Sequence, residues 1–421
     1  MTSVRAFAAG AAGILILPFA YWVRGWQSFA TVRDICPRLF CDFSDYYYPM
    51  GEAIFRTGLP VDGFLYSPLI AIFLAAFPPL GLDASLVLWG VLQALFVSFY
   101  LFLGHRVLRA ELPVQVLFVA LCFSTYPLLV NLLGGQVSVF IMVPLLGMLA
   151  AYERGHRAAA CCLLALAVSF KFYPIIFLAL FAARREARTF FFGTVACAAA
   201  LFVIPGLVLG AGDTVAFYGA LLDAFRDSGW VVTNPHSQFF PHVVLRLTGG
   251  NAPLLPLRWI SYAVATANLI LVFLVQRARL RHANLWCFQL LLLSVPFILK
   301  TSWPHDFVFL PFTQAFLAWR LIGKDAAAAE IDKEKRTDAG APVDEAHGPG
   351  TVVAFVLLLV SIIFSNIVFF HLFGFVRYGS FGFLLWANLL LLIAAYMLLL
   401  PTSLQRLCPT CVERAEADVR P

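Results

Sequence analysis

The run CDFSDYYYPMGEAIFRTG at residues 41–58 gathers Asp42, Asp45, three consecutive tyrosines, Glu52 and Arg56. It does so in a chain that is 62% hydrophobic and only 12% charged, so the charge needs a reason. Ionisable groups in or beside a membrane are costly to keep, which makes each one a functional candidate. The polar residues that converge with this run are Tyr66, Gln136, Lys171, Asn234, His236, Ser237, Lys300, His305, Asp306 and Arg377. A carboxylate on a watered loop can serve as a general base if it reaches within about 3 Å of a hydroxyl proton. A lysine can stabilise a departing anion, and tyrosine and tryptophan rings offer amphipathic faces at the depth of lipid headgroups.

The elements that must hold these groups are membrane helices. A mean hydropathy of +0.87, with 42 Phe and 24 Pro in 421 residues, excludes an ordinary soluble globule. Apolar runs fall near 6–24, 84–104, 113–128, 137–152, 158–170, 172–183, 189–210, 253–275, 284–299, 306–322, 351–371 and 380–401. They predict an all-α polytopic protein of about twelve crossings. The first run lacks a small-residue cleavage site and reads as a retained anchor.

Short basic turns set the orientation. GHRVLRAE (104–111), ERGHR (153–157), ARREAR (183–188) and QRARLRH (276–282) belong in the cytoplasm. Arg24, Arg33, Arg38 and Arg56 oppose that reading, but they sit in a long loop, where the rule is weak. Parity then requires that 66–80 not cross, and that 158–183 form a hairpin of two short helices broken at Lys171 and Pro174. Residues 26–83 become a large extracytoplasmic loop carrying interfacial helices, and 211–250 a second outer loop. Residues 1–322 form the main transmembrane module. A charged, disordered cytoplasmic linker (323–350), a helix pair (351–401) and a cytoplasmic tail (402–421) follow. The expected site is at the extracytoplasmic face of the cell membrane.

In order along the chain stand DFSDYY, FLYSPL, GGQVSVF, ALAVSFKFYPIIF, NPHS and TSWPHDFVFLP. This series resembles glycosyltransferase family 87, from about residue 10 to 320. The family has the GT-C fold, and its members include a mycobacterial phosphatidylinositol-mannoside mannosyltransferase. The resemblance implies an inverting transfer of a hexose, mannose by analogy, from a polyprenyl-phosphate-sugar donor to a lipid-linked or cell-envelope glycan. It implies Asp42 as catalytic base, with Asp45 beside it where the family usually has an apolar residue. It also implies a catalytic role for His305. Asp306 stands where the family often has a second histidine. Lys171 and Lys300 suit the donor phosphate. Asp45, Tyr46, Tyr47, Tyr66, Gln136, Asn234, Ser237 and Trp303 suit the sugar and acceptor. Membrane lipids are the other partners. No cofactor is expected, the lipid-linked sugar being a substrate, although Asp42 and Asp45 leave room for a divalent cation.

Plainer readings stand beside these. The tyrosines could form an aromatic belt, Glu52 and Arg56 the solvated face of an amphipathic helix, and Asp42 a helix N-cap. Lys171 could snorkel, Gln136 and its two preceding glycines could make a turn, and Asn234, His236 and Ser237 could bond within a loop. Cys36 and Cys41 can pair if the compartment oxidises, while CPTC at 408–411 lacks the second pair of a zinc site. No phosphate-binding loop, dinucleotide fingerprint or HExxH motif occurs, and the net charge of +6 lies in orienting turns, which gives no reason to expect nucleic acid. A transporter or lipid flippase is the competing function. It predicts polar residues through the midplane and symmetric halves, whereas the midplane positions here are Leu, Phe, Ala and Val.

Overall fold

The computed structural model describes residues 39–182, 187–226, 229–278, 280, 282–322 and 349–407. The expected first span, Cys36, the linker up to residue 348 and the CPTC motif lie outside them. Within them the chain is helical, with no strand; a single isolated β-bridge joins Thr125 to Asn366.

A π-helical turn at Phe43–Tyr47 leads into α1 (Tyr48–Thr57), followed by α2 (Pro68–Leu74) and a 3-10 turn at Pro78–Leu80. Then come α3 (Leu82–Leu108), α4 (Leu112–Ser124), α5 (Tyr126–Gly134), α6 (Ser138–Glu153) and α7 (Arg157–Phe170). A 3-10 run at Tyr173–Phe181 precedes α8 (Ala187–Leu209), α9 (Ala211–Arg226), α10 (Gly229–Thr233) and α11 (Phe240–Leu247). The chain continues through α12 (Leu254–Arg277), α13 (Ala283–Leu293), α14 (Val295–Ile298), a 3-10 turn at Pro304–Phe307 and α15 (310–322). It ends with α16 (Pro349–Ser365), α17 (Ile367–Phe373), α18 (Phe375–Phe381) and α19 (Phe383–Leu407).

Proline explains much of this segmentation. It occupies the first turn of α1, α2, α4, α5, α11 and α14, where a missing N–H has no intrahelical partner to lose. The residue two before such a proline is extended at Thr125, so the single run expected over 113–128 becomes two helices. The 284–299 run divides at Ser294, two residues before Pro296, although Ser294 itself keeps helical backbone angles. The 351–371 run breaks at Asn366, whose side chain accepts from Val368 N and caps α17.

Four stretches are long and apolar enough to cross a membrane: Leu82–Leu108, Ala187–Leu209, Leu254–Arg277 and Phe375–Leu400. Their outward faces carry exposed Val91, Leu95, Phe99, Phe192, Leu207, Trp259 and Ile270, as a lipid-facing surface requires. Helices α5 and α6 meet at 118°, and the other apolar helices are shorter. The expected count of about twelve crossings is therefore not matched by twelve long helices, because breaks at Thr125, Lys171, Ser294 and Asn366 divide the hydropathic runs. The expected hairpin over 158–183 turns at Lys171, but its second arm is a 3-10 run rather than an α-helix. The stretch 66–80 forms only α2 and a 3-10 turn, too short to span.

The main core lies where α6 packs on α3 and α7, α7 on α8, α12 on α13, and α16 on α19. A second cluster, centred on Phe43, Phe77 and Trp89, seats the π-helical turn, α1 and α2 against α3.

Candidate active site

The cavity forms around the break between α5 and α6. Gly135 has φ +71°, a left-handed conformation that caps α5. A Cβ there would meet Trp89 Nε1 at 2.8 Å, and one on Gly134 would meet Asp42 Oδ2 at 2.7 Å. Trp89 Nε1 donates to the Gly135 carbonyl at 2.9 Å, and Gln93 Nε2 donates to the Gln136 carbonyl at 2.8 Å. Asn131 Nδ2 holds Gln93 in turn, at 3.2 Å. Two glycines and a buried amide ladder thus let Asp42 approach the backbone and aim the Gln136 side chain at it.

Gln136 bonds through both ends of its side chain. Its Nε2 donates to Asp42 Oδ2, while its Oε1 accepts from Tyr47 Oη at 2.8 Å and Tyr66 Oη at 3.2 Å. The two phenol oxygens lie 2.9 Å apart. The π-helical turn produces this presentation. Widening the helix brings residues five apart onto one side, so Asp42, Tyr46 and Tyr47 all reach the cavity, while Asp45 is exposed and does not line it. Burial pushes the Asp42 carboxyl above the usual carboxylate range; the Gln136 hydrogen bond opposes that push and the nearby Asp45 charge adds to it.

The opposite wall comes from Lys171 and the 304–307 turn. Lys171 is extended (φ −139°, ψ 149°) at the end of α7, and its Nζ lies 2.6 Å from Asp306 Oδ1. Asp306 is buried and further held by Ser138 Oγ at 3.2 Å and by the Trp303 N–H at 3.1 Å. Burial works against charge on both partners. The Asp306 carboxylate nonetheless holds Lys171 above the usual lysine value, and Lys171 and His305 hold Asp306 below the carboxylate range. Lys171 Nζ also lies 5.6 Å from the centre of the Tyr66 ring. His305 is pushed down to about 4 by burial and by the Lys171 charge, against the attraction of Asp306. It is therefore a neutral imidazole at neutral pH, and its buried Nε2 has no hydrogen-bond partner.

These groups line a cavity of about 780 Å³. It is lined by Asp42, Tyr46, Tyr47, Tyr66, Gln136, Lys171, Asn234, Trp303 and His305, and also by Tyr126, Trp230, His236, Phe172, Phe225 and Phe375. Trp230 and Trp303 stack with centroids 5.6 Å apart. The buried Tyr126 hydroxyl, like His305 Nε2, lacks a partner. Leu65, Phe172, Leu222, Phe225 and Phe375 line the same cavity as these polar groups, a mixture that suits a ligand with both polar and apolar parts.

Two expected residues fall behind the wall. Leu299 is extended, and along extended backbone alternate side chains face opposite ways; Leu299 and Thr301 line the cavity and Lys300 between them does not. Ser237 is fully buried, with its hydroxyl 2.8 Å from His242 Nδ1. Asn234 does line the cavity, and its Oδ1 accepts from the His236 N–H at 2.9 Å, forming the turn that presents His236. His236 is pushed down to about 4 by burial and by Arg246. Residue-by-residue reading missed Tyr126 and Trp230. The available signal for Tyr126 was a tyrosine immediately before Pro127 at a helix break; Trp230 had none beyond its loop. Arg377 does not line the cavity either. Cys41 is disulfide-bonded, whereas the expected partner Cys36 lies outside the described residues. Among the described residues no cluster of three or more metal-ligating side chains occurs.

The sequence model of glycosyltransferase family 87 matches residues 64–301. No curated protein and no solved structure matches the chain.

Proposed function

The chain belongs to glycosyltransferase family 87 and is a glycosyltransferase with membrane helices; on that premise we propose that it transfers a hexose, with inversion, from a polyprenyl-phosphate carrier. Mannose is the sugar the family resemblance favours, and a lipid-linked or cell-envelope glycan is the acceptor. The cavity faces the extracytoplasmic side of a multi-pass cell-membrane protein of the GT-C type.

The observation that carries this reading is one cavity holding a carboxylate, an ammonium and an unpartnered imidazole nitrogen together with apolar side chains. The acceptor hydroxyl oxygen attacks the anomeric carbon, and the bond from that carbon to the phosphate oxygen breaks. The proton passes to Asp42, and the electron pair leaves with the lipid phosphate. Burial makes Asp42 a stronger base than a free carboxylate, which favours proton transfer in the transition state. Lys171 and His305 Nε2–H, in the tautomer that donates, stabilise the charge building on the phosphate. Tyr46, Trp230 and Trp303 supply faces for sugar rings.

The test is transfer of labelled mannose from synthetic polyprenyl-phosphate-mannose to a membrane-lipid extract by purified protein. Asp42→Asn should lower transfer by about 10²–10⁴-fold while donor binding persists, as removal of a general base requires. Unaltered transfer would reject Asp42 as the base. Failure of wild type with every carrier sugar, with movement of lipid or solute across liposomes instead, would establish the transporter.

A further inference from the structure

Asp306 has a buried carboxylate that touches no other acid and bonds three groups from three parts of the chain. They are Lys171 Nζ at 2.6 Å, Ser138 Oγ at 3.2 Å and the Trp303 N–H at 3.1 Å. Ser138 opens α6, two residues past Gln136, the residue that holds Asp42. The same helix break therefore braces both acids. An ammonium has three N–H bonds, and Asp306 accepts the only hydrogen bond that Lys171 Nζ makes to a described residue. Two N–H bonds remain at a side chain that lines the cavity.

We propose that Asp306 is a positioning residue for the leaving group: it keeps the Lys171 ammonium charged and anchored at the cavity wall, with its remaining N–H bonds directed to the departing phosphate. This rests on the reading of the cavity as a lipid-phosphate sugar-transfer site. Without a fixed counter-charge, a lysine buried this deeply would lose its proton to relieve desolvation and could no longer stabilise an anion. The titratable groups that act on the Lys171 ammonium are Tyr66 from the segment ahead of α2, and His305 and Asp306 from the 304–307 turn. Asp306 is the only one of these that carries negative charge at neutral pH. A rigid staple between α7 and the 304–307 turn would need the contact but not the protonation, and that difference can be measured.

The experiment is competitive acetylation of the purified protein with trace acetic anhydride across pH, read by peptide mass spectrometry at Lys171, with an added short lysine peptide as the internal reference. The midpoint reports protonation, whereas the plateau reports access. In wild type the Lys171 midpoint should lie above that of the reference peptide. In Asp306→Asn it should fall, so that the protein labels at Lys171 roughly tenfold faster or more at about pH 9. Asp306→Glu, which keeps the charge, should stay near wild type. A midpoint unchanged by Asp306→Asn would overturn the proposal. If that variant does not fold, a wild-type Lys171 midpoint at or below that of the reference peptide would overturn it equally. Transfer assays keep the two readings apart. Asp306→Asn should lower kcat with little change in donor KM and add an alkaline loss of activity, and Lys171→Arg in the same chain should remove that alkaline loss because a guanidinium stays charged. Wild-type protein that labels as expected but transfers no sugar rejects the glycosyl-transfer reading while the charge-holding role of Asp306 stands; transfer that is normal in Asp306→Asn at every pH rejects the role.

Discussion

Asp42 is held between two demands. As the proposed base it must be ionised, yet burial favours its neutral form, and the Gln136 amide is the contact that offsets the burial. Gln136→Ala removes that hydrogen bond and leaves burial and the Asp45 charge unopposed, so Asp42 should titrate higher still. The ionised form is the active one, and activity is lost as pH falls through the Asp42 value. The acid limb of kcat/KM in Gln136→Ala should therefore move to higher pH. A pH profile of transfer decides this, and an unmoved limb would mean that Asp42 does not govern it. The same shift bears on stability. A carboxyl raised in the folded state makes the fold lose stability as pH rises from the ordinary carboxylate value through the raised one. Asp42→Asn should thus unfold in detergent at neutral pH with a Tm equal to or above wild type, even as transfer collapses. A clearly lower Tm would show that the carboxylate is stabilising. At this scale the motifs of the sequence pointed to Asp42, His305, Tyr66 and Gln136, which line one cavity; the family match at 64–301 includes only Tyr66 and Gln136 of the four. The placement of Lys300 and Ser237 was not legible, because a one-residue change of direction along extended chain or a turn leaves no trace in composition.

At the scale of elements, the break from Gly134 to Ser138 organises the cavity. Its first glycine admits Asp42, its second adopts a positive φ, and its polar residues reach Asp42 through Gln136 and Asp306 through Ser138. Gly135→Ala forces a Cβ into the left-handed region, at roughly 1–2 kcal/mol, and against Trp89 Nε1 at 2.8 Å. Its Tm in detergent should fall and its transfer activity with it, since the Trp89 bond to the Gly135 carbonyl is strained. A Gly135→Ala protein with native Tm and activity would show that the break tolerates remodelling. Where hydropathy found the runs at 84–104, 189–210 and 253–275, helices α3, α8 and α12 stand close to those limits, and α8 continues through Pro205. Where an extended residue intrudes, as at Thr125, Lys171 and Asn366, the runs divide; the rule that counts apolar residues does not see the division.

At the scale of the molecule, the long helices present apolar faces outward while the polar residues of the cavity are gathered inside. The orientation proposed from the basic turns puts them in the cytoplasm and the cavity on the other side, and it can be tested. On a background lacking the exposed Cys162, a cysteine at Ala211 should react with a membrane-impermeant maleimide in intact cells. A cysteine at Arg154 should react only after permeabilisation. Both positions are exposed, so access to reagent is governed by sidedness. The reverse pattern would invert the topology and move the cavity to the cytoplasmic face.

By itself the sequence determined the helical membrane character, the approximate limits of the uninterrupted spans and the order of the motifs. Each of these depends on local composition and spacing, which a chain carries before it folds. Only the tertiary structure decided that Asp306 holds Lys171, 135 residues away, that Gln136 reaches Asp42 across 94, and that Tyr126 and Trp230 join the wall. Those partnerships arise when separate helix breaks meet at one depth. Burial then raises the penalty for any charge left unpaired, so the pairs that survive are set by three-dimensional packing rather than by neighbours in the chain.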